Sequence, residues 1–165
     1  MLSHAAILEL QQIQYKHDLR NHFDILSLHK NDRIKHYGLH FAKYAGRFAR
    51  GKAEEKSLKA TITDALLVCL SSANTLHIRL ANTSLIENNP ETLFKSFVSN
   101  MGKYCDGCEK IDHMEPFIDQ VKSANQNIFN VLISMALSSN VDIINALEER
   151  RLQLKERAFF VSDMP

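Results

Sequence analysis

The sequence predicts an all-α protein, a bundle of about five to six helices of which four are long. Three observations carry this expectation. Apolar residues recur at helical spacing through most of the chain. Only 5 Gly and 3 Pro interrupt 165 residues, which favours long regular elements over a turn-rich β fold. Helix start and stop signals punctuate the periodic stretches at intervals. Hydrophobic residues at 45% and charged residues at 24% suit one globular domain spanning 1–165, long enough to build a core.

Residues 3–29 read as the first helix, with Ile7, Leu10, Leu19, Phe23 and Leu26 on its apolar positions. Its four histidines, His4, His17, His22 and His29, read as ordinary boundary residues. Asn31 or Asp32 is the expected cap of a second helix over 33–50, closed by Gly51. A third helix over 57–81 carries an unbroken stripe from Ile62 to Leu80 and further apolar residues on other sides, so it should be buried on more than one face. Asn82 to Asn89 breaks the pattern. Asn89-Pro90-Glu91 then starts a short helix expected to end near Gly102. A fifth helix covers 117–138, and Ser139-Asn140 caps a last one from Val141 to about Ala158. The tail 161–165 is expected to be loose.

A formal net charge of +1 creates no global field towards nucleic acid or membrane, so neither is an expected partner. The longest apolar run, 65–70, is far too short to cross a bilayer, and the N-terminus lacks the pattern of a signal peptide. Three cysteines form no disulfide framework; a reducing cytoplasm is the expected compartment.

The functional signal is local. On the second helix His36, His40, Lys43, Arg47 and Arg50 fall on one narrow line, while most of its other faces are apolar or small. Imidazole, ammonium and guanidinium groups in a row suit a phosphate chain, so His36, His40, Lys43 and Arg47 are the candidate phosphate-binding residues. Asp64 lies in a stretch so apolar that it needs either a Lys/Arg partner or a metal. Glu109, Asp112 and His113 share one helical face, a donor set of the kind Mg²⁺ uses. Ser123, Asn127, Asn130 and Ser134 draw an uncharged polar line on the fifth helix; Asn127 and Asn130 are candidate base or sugar contacts. Cys105-x-x-Cys108 lacks the second ligand pair of a zinc site.

Two stretches resemble the MazG-like all-α nucleoside triphosphate pyrophosphohydrolases. Residues 61–74, from Thr61 through Asp64 and a run of leucines, are similar to that family's third helix. Residues 135–157, with Ser139-Asn-Val-Asp142 before Ala146-Leu-Glu-Glu-Arg-Arg, resemble its closing turn and charged last helix. The resemblance implies a MazG-like bundle in which Mg²⁺ held by helical carboxylates presents a nucleotide to water, with release of pyrophosphate. Asp64 would match the Asp of the family's ExxD motif, with Thr61 in the place of its Glu. His40-x-x-Lys43 stands where the family's ExxE lies. The implied metal set is Asp64, Glu109, Asp112 and His113, and Asp64 and His40 are the candidate catalytic residues. A non-catalytic regulatory or interaction bundle using the same stripe is an alternative. A third reading follows from Arg33 and His40, whose spacing is similar to the Arg-to-His motif of HEPN-type helical ribonucleases. Long amphipathic helices also make a homo-oligomer an expected state.

Overall fold

The computed structural model of the protein describes residues 2–82 and 89–156. Among them are seven α-helices: α1 (His4–Asn21), α2 (Phe23–Leu26), α3 (Lys30–Arg50), α4 (Leu58–Leu76), α5 (Pro90–Asp112), α6 (Ile118–Ser138) and α7 (Ile143–Glu156), with one 3₁₀ turn at Gly51–Ala53 and no strand. The all-α expectation is therefore met. The predicted tail and most of the polar break at 82–89 lie outside the described residues.

Helix α4 is the axis of the fold. Fourteen of its 19 residues are buried, so it has partners on every side. It packs against α3 and α6, and α5 closes the ring by packing against both of those. This makes a four-helix bundle. Helices α1 and α7 touch each other and lie on the outer side of α4, as a second layer. Helices α3 and α4 run antiparallel. Tyr37 reaches Thr75 (3.4 Å) near the start of α3, and Arg47 reaches Asp64 (3.4 Å) near its end.

The core joins large apolar side chains through a few satisfied polar groups. Phe41 meets the edge of Tyr104 at 5.1 Å, and Phe48 meets Phe97 at the same distance. The fully buried Tyr104 hydroxyl lies 2.7 Å from Ser72 Oγ. The fully buried Asn125 donates to the Cys69 carbonyl and ties α6 to α4. A buried amide or hydroxyl left unpaired would cost about 1–3 kcal/mol, which these pairings avoid.

Several helix boundaries differ from the expected ones. The first predicted helix is broken at His22, whose φ of −136° is non-helical; its N–H returns to the Asp18 carbonyl. His29, not Asn31 or Asp32, caps α3 by accepting from the Asn31 N–H. Helix α4 stops at Leu76 because His77 takes a left-handed conformation, φ 55°. Asn140 is likewise left-handed, and Asp142 caps α7 by accepting from the Asn145 N–H. Helix α5 does not end near Gly102 but continues to Asp112. A second glycine, Gly107, stands inside this longer helix. A Cβ on Gly107 would stand 2.4 Å from Val121 Cγ2, so the glycine lets α5 and α6 approach closely.

Gly107→Ala should lower stability by about 1–3 kcal/mol despite alanine's better helix propensity, because Val121 has to move. Chemical denaturation followed by circular dichroism checks this; an unchanged midpoint would contradict the close approach.

Candidate functional site

A cleft of about 370 Å³ lies between the bundle and its outer layer, walled by α1, α2, α3, α4 and α7. One end is cationic. Asp64 on α4 is buried, and its carboxylate is gripped from three directions. Arg150 Nε on α7 donates to Oδ1 at 2.6 Å; Arg47 Nη1 on α3 (3.4 Å) and Lys56 Nζ (3.3 Å) donate to Oδ2. Lys43 stands beside them, its Nζ donating to His40 Nδ1 at 3.0 Å and lying 4.8 Å from the Tyr44 ring centroid. Arg47 also leans on Tyr44, at 5.6 Å. Four cations thus surround one carboxylate at the edge of a cavity. Burial and the neighbouring Arg47 guanidinium both push the Lys43 ammonium below its ordinary pKa.

The other end is neutral and rich in acceptors. Asp18 on α1 is 5% exposed. Its Oδ1 accepts from Gln14 Nε2 at 2.8 Å and its Oδ2 from Ser71 Oγ at 2.6 Å. Burial raises its pKa to about 7, against the opposing pull of those two hydrogen bonds and of the Arg151 guanidinium. Arg151 Nε donates to Gln14 Oε1 at 2.9 Å, so α7 braces this end as well. Ser71 Oγ also lies 3.1 Å from the Leu67 carbonyl. A protonated Asp18 can therefore donate to Ser71, which turns its own proton to Leu67; an ionised Asp18 takes the Ser71 proton instead.

Imidazoles line the space between. His36 and His40 stack obliquely with centroids 4.6 Å apart, and His22 lies across the cleft. Burial depresses all three. In His40 burial and then the Lys43 charge bring the pKa to about 4, so the ring is neutral at pH 7 and can accept from Lys43.

The structure thus gathers four predicted residues, His36, His40, Lys43 and Arg47, into one cleft and places Asp64 among them. Of the two readings left open for Asp64, the Lys/Arg-paired one is observed. Glu109, Asp112 and His113 lie elsewhere. Glu109 pairs with His113 Nε2 at 2.9 Å, and Asp112 pairs with Lys35. Lys35 and Arg47 are 12 residues apart on α3, roughly 18 Å along its axis. Asp112 and Asp64 bind to those two distant points, so the four residues do not form one Mg²⁺ site. Among the described residues no three His, Cys, Asp or Glu side chains converge as metal ligands. Asn127 and Asn130 are not on the cleft either; Asn130 is buried on α6, with its Oδ1 3.2 Å from Gln126 Nε2. Arg33 does not line the cleft with His40. The Cys105 and Cys108 thiols face α3 carbonyls of Gly38 and Ile34, and burial pushes both up, Cys108 to about 12.

Sequence reasoning missed Asp18, Ser71, Gln14, His22 and Arg150. The signal for Asp18 was available. It is a carboxylate on the same helical face as Ile7, Gln11 and Gln14, which become buried with it. His22 was read as a boundary histidine, although it sits at the break that bends the chain over the cleft.

Fold and site together define an all-helical protein with a polarised interhelical cleft, cationic at one end and acceptor-rich at the other. Comparison with protein-family models, with curated proteins and with solved structures finds no match for the chain. No single helix among the described residues is long and apolar enough to cross a membrane.

The raised pKa of Asp18 means that folding favours its protonated form. Its contribution to stability is full below the unfolded value near 3.8 and is lost as pH rises towards about 7. Asp18→Asn keeps the neutral hydrogen-bond pattern and removes this loss. Its melting temperature relative to wild type should climb between pH 4 and 8, by the equivalent of roughly 2–4 kcal/mol. A difference that stays constant across that range would refute the protonated assignment.

Proposed function

We propose that the cleft binds a phosphorylated, nucleotide-like anion, with Lys43, Arg47, Lys56 and Arg150 on its phosphates. The observation that carries this reading is the charge imbalance: three cations pair with one carboxylate at the edge of the cleft, and a fourth, Lys43, stands beside them. A volume of about 370 Å³ lies within the usual range for small-molecule sites, ~300–1,000 Å³. Guanidinium groups in partly desolvated surroundings are strong, geometrically specific donors to phosphate oxygens. Asp64 acts as an internal anion that keeps the cluster assembled when no ligand is present. Removing it would leave three buried or half-buried cations in mutual repulsion.

This is the reading of a nucleotide- or phosphate-binding helical protein. Hydrolysis of the MazG-like kind needs carboxylates gathered on a metal beside the phosphates. The carboxylate at this end, Asp64, is committed to Arg47, Lys56 and Arg150.

Titration with inorganic triphosphate, read by calorimetry and thermal shift, tests the reading. The anion should raise the melting temperature in proportion to occupancy. Lys43→Glu should weaken it by about tenfold or more, since a charge-assisted contact is replaced by repulsion. Asp64→Asn should be less stable alone yet bind the anion more tightly, because the internal competitor is gone. Absence of stabilisation in the wild type, or weaker binding in Asp64→Asn, would overturn it.

A further inference from the structure

The two ends of the cleft have opposite hydrogen-bonding character, and α4 measures the distance between them. Asp64, which holds the cations, and Ser71, which holds Asp18, are seven residues apart on this helix. Two turns separate them by roughly 10 Å, on the same face. Between them Leu67 and Val68 form one wall, with Tyr37, Tyr44, His36 and His40 on α3 lining the same cavity. The lining is mostly apolar and carries aromatic rings, surroundings that suit an aromatic ligand.

The Asp18 end holds unused acceptor capacity. An ionised carboxylate offers about four lone-pair positions, and Gln14 and Ser71 occupy two. Among the described residues no cation pairs with it; Arg151 spends its Nε on Gln14, and its buried Nη2 has no hydrogen-bond partner among them. The neutral rings of His22 and His36 add further acceptors. A second anion at this end would face a buried carboxylate. A ring carrying N–H groups would supply what Asp18 lacks.

Resting on the phosphate reading of the cationic end, we propose that Asp18, backed by Gln14 and Ser71, reads an N–H-bearing aromatic ring roughly 10 Å from the ligand's phosphates. Asp18 is then the specificity-determining residue of the cleft. Exocyclic amino groups of the ring are accepted there, and carbonyl groups in their place are rejected. The cation cluster is indifferent to this choice, because phosphate contacts position a ligand without reporting on its far end.

The experiment compares matched ligands, using the full chain: CTP against UTP and ATP against ITP, which exchange an amino group for a carbonyl, and GTP against ITP, which differ by one amino group. Calorimetry at pH 8, above the Asp18 pKa of about 7, should show the amino member of at least one pair binding about tenfold tighter or more, as expected for a hydrogen bond to a charged acceptor. Asp18→Asn should shrink that ratio to about twofold or less, and Asp18→Glu should restore part of it. Equal binding within every pair, or a ratio that survives Asp18→Asn, overturns the proposal. Inorganic triphosphate separates this failure from that of the phosphate reading. If triphosphate does not bind, the cationic end is misread, and the same pairs of free nucleosides score Asp18 alone. Discrimination among nucleosides would uphold the Asp18 assignment, and none would overturn it.

Discussion

A carboxylate on a helix that is buried on nearly every side cannot be left alone. Asp64 occupies that position on α4, and its neutralisation recruits a residue from α3, one from the segment before α4, and one from α7. Three separate elements are drawn to one atom group. Desolvating an unpaired carboxylate costs several kcal/mol, so this convergence constrains where α3 and α7 can sit. The cleft follows directly. The two arginines that reach inward to this buried acid, Arg47 and Arg150, line the space beside it.

The same helix supplies the opposite end by a different route. Asp18 is equally buried but receives an amide and a hydroxyl instead of cations. Two acids on facing helices thus end in contrasting environments, one electrostatically saturated and one merely hydrogen-bonded. That contrast, and not the count of charged residues, gives the cleft its direction. A net charge of +1 over the whole chain shows nothing of it.

The helical periodicity was legible because it depends on each segment's own apolar pattern. The basic line on α3 was legible for the same reason, since four of its residues reach one cavity through the geometry of one helix. What escaped was everything that needs two elements at once. Gly102 looked like a helix end when read locally, yet α5 runs through it to Asp112; only Val121 on α6 shows why a second glycine, Gly107, stands inside that helix. Glu109, Asp112 and Asp64 looked like one acidic set, yet each is claimed by a different partner. Asp18 and Ser71 are 53 residues apart in sequence, and no spacing rule joins them. His22 was invisible because the first helix breaks there without a Gly or Pro to announce it.

Helix α7 closes both halves of the cleft with two consecutive residues. Arg150 binds Asp64, and Arg151 binds Gln14 beside Asp18. Neighbouring positions on a helix diverge by about 100°, so one short stretch of α7 acts as a two-pronged clasp. Docking of this helix and occupancy of the cleft are therefore linked equilibria. Whatever fills the cleft and engages Arg150 also holds α7 down, and by reciprocity whatever loosens α7 weakens the ligand by the same factor. The last helix of the described chain is in this sense the part of the scaffold whose attachment reports on the state of the site.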